Sequence, residues 1–322
     1  RLAGNGIGGV ARGLGHPAAQ LGQEADLGHS LVALDSGAFQ DRKSTDRLTN
    51  SQALQRQLDY CERNKVNPNL IVSYDRLVDE SESTSGKSKR RVSHKTGENY
   101  VRQTIEAAEH LANSRDDVRC AKLVLSCQGT SLPQYVRCMK EVAALAEPGD
   151  VLGLGGFCIV GQQHRYLDQL LAVTNEAIPI AKKNGIKQIH VFGLGWIPAL
   201  AKMNILTHKA GIQCSYDTSR YELNGIHGSI FMGYKGGMSN VFAKIEKNKA
   251  YHPTALAHAN LLLVQNYWNT FHRLLENDEG LLAANLAWLP NMTLQPLPAP
   301  KAPAKLKRQD LKVRQSPSLM RG

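Results

Sequence analysis

The chain has 322 residues, enough for one large domain or two small ones with a sizeable core. Its hydrophobic content of 42% is that of a globular protein. No apolar run approaches the roughly 18 residues of a membrane span, so no membrane segment is expected. The formal net charge of +11 points to a polyanionic partner such as nucleic acid.

The chain opens on Arg1 rather than Met, as a piece of a longer gene product would. No charged-then-apolar leader is seen, so no secretory signal is expected. Residues 1–29 are Gly-rich and weakly patterned. Gly4-Asn5-Gly6-Ile7-Gly8-Gly9 fits GxGxxG, but too few residues precede it to supply the strand that a dinucleotide-binding turn needs.

From residue 31 a rhythm begins. Apolar strand candidates cover 31–35, 70–75, 121–127, 149–155, 188–194 and 212–217. Helical patterns lie between them, over 49–66, 98–113, 131–146, 164–184 and 196–210. Ile230-Phe231-Met232 reads as one more short strand. The alternation predicts an α/β fold with a parallel sheet and right-handed crossovers. An open doubly wound sheet and a closed (β/α)8 TIM barrel both satisfy it. Seven strands are counted from residue 31, and an eighth is expected in the Gly-rich start or before it.

Residues 81–97 read as a polar, basic, mobile insertion, with Lys87, Lys89, Arg90 and Arg91 placed to hold phosphates. Residues 254–288 read as helical, with an aromatic stripe of Tyr267, Trp268 and Phe271. The barrel and its C-terminal helix are expected over 1–289, and a disordered Pro/Lys-rich tail over 290–322. Residues 301–322 carry seven Lys or Arg against one Asp.

The six cysteines, Cys61, Cys120, Cys127, Cys138, Cys158 and Cys214, form no CxxC pair, and several lie in apolar runs. They read as reduced, packed thiols of a cytoplasmic protein. No Cys/His spacing suits zinc, and no cofactor is expected.

In parallel α/β folds the site lies at the C-terminal ends of strands. The strand ends here present Asp35 and Phe39, Asp75, Gln128, the glycine run 153–156 with Phe157, Phe192 with Gly193 and Gly195, and Asp217. One such Asp alone reads as a turn former. Three converging carboxylates oppose one another and raise at least one pKa, the mark of a working site. A planar heterocycle suits this mouth. Phe39 and Phe192 stack its faces, Asp75 and Gln128 read its edge, and Gly156 offers a bare backbone N–H. That edge pattern fits guanine. Asp35 and Asp217 remain as a nucleophile and acid/base pair at a glycosidic bond. An alternative is a phosphorylated metabolite with a phosphate cup at Gly193 to Gly195, and another is a nucleic-acid-binding barrel without catalysis.

The segment Leu34-Asp35-Ser36-Gly37-Ala38-Phe39-Gln40 resembles the DSGGF/YQ stretch of tRNA-guanine transglycosylases. SYDRLVDE at 73–80, SCQG at 126–129, GLGGFCIVG at 153–161, FGLG at 192–195 and YDTSRYELNG at 216–225 are similar to further segments of that family, in family order. The resemblance implies a TIM barrel that exchanges guanine for a 7-deazaguanine without a cofactor. It implies Asp217 as the nucleophile and Asp35 as the general acid/base. It also implies Asp75, Gln128, Gly156, Phe157, Phe39 and Phe192 as the base-binding set, and Arg220 on the nucleic-acid backbone. The family's CxCxxC zinc segment, which lies in the region that meets tRNA, is absent from the sequence. The departures resemble more closely the DNA-acting branch, the deoxypurine-in-DNA protein A type. DNA is therefore favoured over tRNA as the partner, a base such as 7-cyano-7-deazaguanine is the second substrate, and a homodimer is compatible with the reading.

Overall fold

The computed structural model describes residues 10–11, 32–42, 44, 46–81, 89–118, 121–158, 166–231, 242–244 and 252–277. The GxGxxG segment, Lys87, Cys120 and the tail from 290 lie outside them. In chain order the elements are β1 (Val10–Ala11), β2 (Ala33–Leu34), α1 (Ala38–Asp41), α2 (Asn50–Asn64), β3 (Leu70–Val72), β4 (Asp79–Ser81), β5 (Lys89–Arg91) and α3 (His94–Asn113). They continue as β6 (Lys122–Cys127), α4 (Leu132–Ala143), β7 (Val151–Leu154), α5 (Leu167–Lys183), β8 (Gln188–Val191), α6 (Ile197–Lys209) and β9 (Gln213–Tyr216). The last are α7 (Arg220–Ile226), β10 (Ser229–Phe231), β11 (Phe242–Lys244) and α8 (Pro253–Asn277).

Local chemistry sets several boundaries. Thr49 and Gln52 form a reciprocal capping box that starts α2, and Lys65 in the left-handed region ends it. Ser93 caps α3 by accepting from the Thr96 N–H. That cap starts α3 inside the expected 81–97 insertion. The remainder of that insertion is bounded by β4 and β5, which pair antiparallel.

The main sheet runs β1-β2-β3-β6-β7-β8-β9. The six strands from β2 to β9 are parallel, and β1 alone is antiparallel to its neighbour. All four residues of β7 are buried, as expected of a strand covered on both faces. The large core lies between the outer face and the helices. It includes Leu34, Ile71, Leu123, Leu125, Leu152 and Ile189 from the strands, with Val101, Met139, Leu170 and Met203 from the helices. The inner face carries a small cluster of Val72, Val124 and Val151, against which Leu70 and Phe192 pack.

Among the described residues the sheet curls into a half-barrel and does not close as an eight-strand barrel. Laid flat, six strands would put the first and last about 24 Å apart. Yet the charge of Asp217, after β9, acts on Asp35, after β2. Among the described residues the sheet stays open at both ends, each for a local reason. The strand in the Gly-rich start, β1, enters antiparallel. The strand at Ile230, β10, pairs among the described residues with β11 alone, as an antiparallel ribbon. Part of β10's hydrogen bonding is taken by a side chain. Fully buried Asn260 of α8 accepts from the Phe231 N–H at 2.6 Å and donates to the Ser229 carbonyl at 2.8 Å. It also donates to the Tyr221 carbonyl at 3.1 Å, tying α7 to the same point. Asn260→Ala strands these buried backbone groups and costs about 3 kcal/mol of stability, read as a fall in urea midpoint with unchanged m-value.

Helix α8 covers the outside of β9 through its aromatic stripe. Trp268 sits 5.4 Å from Tyr216, and Phe271 lies 5.2 Å from Trp268, both in the main core. Among the described residues no helix is long and apolar enough to cross a membrane.

Candidate active site

Alternation along each strand decides what faces the concave side. The register aligns Ser126, Gly153, His190 and Ser215 in one row across β6 to β9. One pleat repeat further come Gln128, Gly155, Phe192 and Asp217. Backbone bonds continue the ladder there, from the N–H of Gly155, Phe192 and Asp217 to Cys127, Leu154 and Val191. The Val72–Val124–Val151 cluster therefore forms an apolar floor, and the chain's polar strand ends stand above it.

Glycines make room for that layer. A Cβ on Gly153 would lie 2.6 Å from the Phe192 ring, and one on Gly155 would lie 2.9 Å from Gln128 Cγ. Any larger residue would displace the side chains that line the concave face.

Asp35 follows β2 and is held by the backbone N–H groups of Ser36 and Gly37. Burial and then the Asp217 charge push its pKa from 3.8 to about 6, against those two bonds and Arg56. Arg56 donates to the Ser36 carbonyl at 2.5 Å and pairs with Asp41 at 2.9 Å.

Asp217 has the opposite character. Burial works to raise its pKa. The His190 ring and the Gly193 N–H outweigh burial and hold the carboxyl below the ordinary range. His190 Nε2 lies 3.1 Å from Asp217 Oδ1, and the Gly193 N–H donates to the same oxygen at 3.0 Å.

Asp75 and Gln128 are brought together. Gln128 Nε2 donates to Asp75 Oδ2, and Gln128 Oε1 accepts from the Val78 N–H at 3.0 Å. Both side chains are buried. Burial raises the Asp75 pKa to about 7; Arg47 opposes it, while Asp35 and Asp79 add to it. The native state therefore binds more protons than the unfolded chain between pH 3.8 and about 7, and stability falls as pH rises through that window. Asp75→Asn keeps an acceptor for Gln128 and removes this cost. It is expected to raise Tm at pH 8 by about 2–4 °C and to change it little at pH 4.

Cys158 sits among all four carboxylates. Burial, then Asp79, Asp217, Asp75 and Asp35, push its thiol well above the usual range, so it stays neutral. Its Sγ donates to the Phe192 carbonyl at 3.3 Å.

The two stacking candidates differ. Phe192 lies half-buried over Gly153, with its ring edge-on to His190 at 4.7 Å. Phe39 on α1 is 38% exposed at the rim, and the Arg42 guanidinium sits 3.8 Å from its centroid.

Three other expectations are corrected. Phe157 is fully buried in the main core, stacked on Tyr135 at 5.7 Å, and does not line the mouth. Gly156 is needed for a left-handed turn, with φ of 77°, and Tyr135 and Val78 fill the space where its side chain would stand. The open space expected beside its backbone is therefore occupied on the side-chain side. Arg91 points inward. It donates to the carbonyls of Gly129 and Gly156 and to the Tyr135 hydroxyl, and lies over the Phe157 ring. It clamps the loops after β6 and β7 and is not displayed to a phosphate.

Lys89 and Arg90 belong to β5, and their side chains lie outside the described residues. Arg220 begins α7, half-buried, with its Cβ and Cδ against Gly195, and burial lowers its pKa. Sequence reasoning missed His190, Ser215 and Cys158 as members of the site. The first two were recoverable, because each stands two residues before a predicted site residue and so shares its face.

Among the described residues no group of His, Cys, Asp or Glu suits a metal ion, and the described cysteines are free thiols. No family model matches the chain, and no curated protein matches it.

Proposed function

We propose that the protein is a base-exchange transglycosylase. It replaces guanine in nucleic acid, with DNA favoured, by a 7-deazaguanine such as 7-cyano-7-deazaguanine. The observation that carries this reading is the divergence of two neighbouring carboxyls. Asp35 is pushed up to about 6 while Asp217 is held down as a carboxylate. Two interacting acids with environments this different are suited to one proton donor and one nucleophile.

The target nucleotide leaves its stack to enter the concave face. Asp217 attacks C1′, and the C1′–N9 bond breaks with its electron pair leaving on guanine. The Asp35 carboxyl supplies the proton that guanine takes up. The resulting sugar ester then meets the 7-deazaguanine. Asp35, now a carboxylate, accepts the incoming base's N9 proton as that nitrogen attacks C1′ and Asp217 departs. Two displacements retain configuration. Asp75, held by the fully buried Gln128 amide, offers its carboxyl to the base edge, and Phe192 offers a ring.

A phosphate cup at Gly193 to Gly195 is less well supported. The Gly193 N–H is engaged by Asp217, and Cys158, Thr218 and Arg220 occupy the space beside the two glycines.

The test is incubation with radiolabelled guanine and either duplex DNA or tRNA. Label entering DNA supports the reading as stated, and label entering tRNA alone moves the acceptor to tRNA. Base binding with no label in either, and no adduct on a denaturing gel, leaves a non-catalytic barrel and sinks the enzyme reading.

A further inference from the structure

We infer that His190 is the positioning residue that orients the nucleophile, and that Asp217 Oδ2 is the attacking atom. The inference rests on the base-exchange reading for the reaction, but its structural content does not. The bonds from His190 and from the Gly193 N–H fall on the same carboxyl oxygen. His190 Nε2 and the Gly193 N–H converge on Asp217 Oδ1 at 3.1 and 3.0 Å. An oxygen that accepts two hydrogen bonds has its lone pairs engaged and its charge stabilised. Oδ2, which receives neither bond, keeps the more available electron pair for C1′.

The ring is itself held. His190 Nδ1 lies 3.0 Å from Ser215 Oγ, and Ser215 Oγ accepts from Gln188 Nε2 at 2.8 Å. A hydroxyl has one proton and two lone pairs. With neutral His190, the ionised Asp217 carboxylate has no proton to give, so Nε2 carries the hydrogen that reaches it and Nδ1 accepts from the Ser215 hydroxyl. With protonated His190, Ser215 accepts from both neighbours, and Nε2 still donates to Asp217. In either charge state the donor to Asp217 is the same. Phe192 fixes the ring plane from the side, edge-on at 4.7 Å. All four polar members sit on adjacent strands, at register partners His190 and Ser215 and at the neighbouring positions two residues away. The groups acting electrostatically around Asp217 are His190, Asp35 and Cys158.

The arrangement has two substrate-free readouts. Imidazole ¹⁵N NMR of the full chain is expected to find Nε2 protonated and Nδ1 accepting, and Ser215→Ala is expected to weaken that preference. Carboxyl ¹³C NMR, with the signal assigned by its loss in Asp217→Asn, is expected to show the Asp217 titration moving upward in His190→Phe. His190→Gln, which keeps an N–H donor near the Nε2 position, is expected to restore most of the shift. On label incorporation, His190→Phe is expected to lower kcat about 10- to 100-fold with KM changed less than about threefold, and His190→Gln to recover most of kcat. An Nδ1–H tautomer at rest, or an Asp217 titration unmoved in His190→Phe, overturns the positioning role. Neither result touches the base-exchange reading, which falls only if the unsubstituted protein incorporates no label.

Discussion

Asp217→Asn is expected to abolish base exchange, by on the order of 10⁴-fold or more, while the protein remains folded. The asparagine has the shape of the carboxylate and still presents an oxygen to the Gly193 N–H and to His190, so the bonds that hold the loop after β9 persist. What is lost is the carboxylate's negative charge, and with it the nucleophilicity that forms the sugar ester. No protein–nucleic acid adduct should appear on a denaturing gel, whereas the unsubstituted protein should form one. A modest stability effect accompanies this. Because the folded pKa of Asp217 is depressed, its contribution is present above the unfolded pKa and disappears as pH falls through the folded one. The variant should therefore be slightly less stable than its parent at pH 7 and equal to it in strong acid. An adduct that persists in Asp217→Asn but vanishes in Asp35→Asn would reverse the proposed roles of the two carboxyls.

The parallel sheet was legible because burial on both faces demands apolar runs, and Leu70–Val72, Lys122–Cys127 and Val151–Leu154 supply them. Barrel closure was not legible. Ser229–Phe231 has the composition of a strand, but two of its backbone groups bond to Asn260, 29 residues beyond Phe231 in sequence, and a choice of that kind is long-range. Nothing local announces that choice. The carboxylates and Gln128 were legible for the opposite reason: a polar residue ending a buried run has to face a cavity or a turn. Phe157 and Gly156 were misplaced because a Gly-Gly-Phe segment looks the same whether its aromatic enters the core or the mouth. Tyr135, from α4, decides between these by stacking on Phe157 and filling the space beside Gly156. Arg91 was misplaced because a run of basic residues reads as a surface for phosphates. Pairing of β4 with β5 brings this one guanidinium onto two buried-loop carbonyls.

The same divergence of environments fixes the second large effect. Asp35→Asn is expected to lower exchange by about 10²- to 10⁴-fold and to change the shape of the pH profile. In the unsubstituted protein kcat/KM needs Asp217 ionised and Asp35 protonated. Activity should rise with pH through a carboxylate limb set by Asp217, and fall as pH passes about 6, where Asp35 loses its proton. The asparagine cannot titrate, so the falling limb near 6 should vanish with the rate. Asp75, at about 7, titrates nearby, and Asp75→Asn separates the two by leaving the Asp35 limb in place. Stability provides an independent reading of the same group. The native state binds more protons than the unfolded chain between pH 3.8 and about 6, so Asp35 destabilises the fold increasingly as pH rises through that window. At pH 8 Asp35→Asn should unfold at a higher temperature than its parent, by about 2–4 °C, with the gap closing towards pH 4. A variant that kept the falling limb near pH 6 would move the general acid to another residue, whatever its rate.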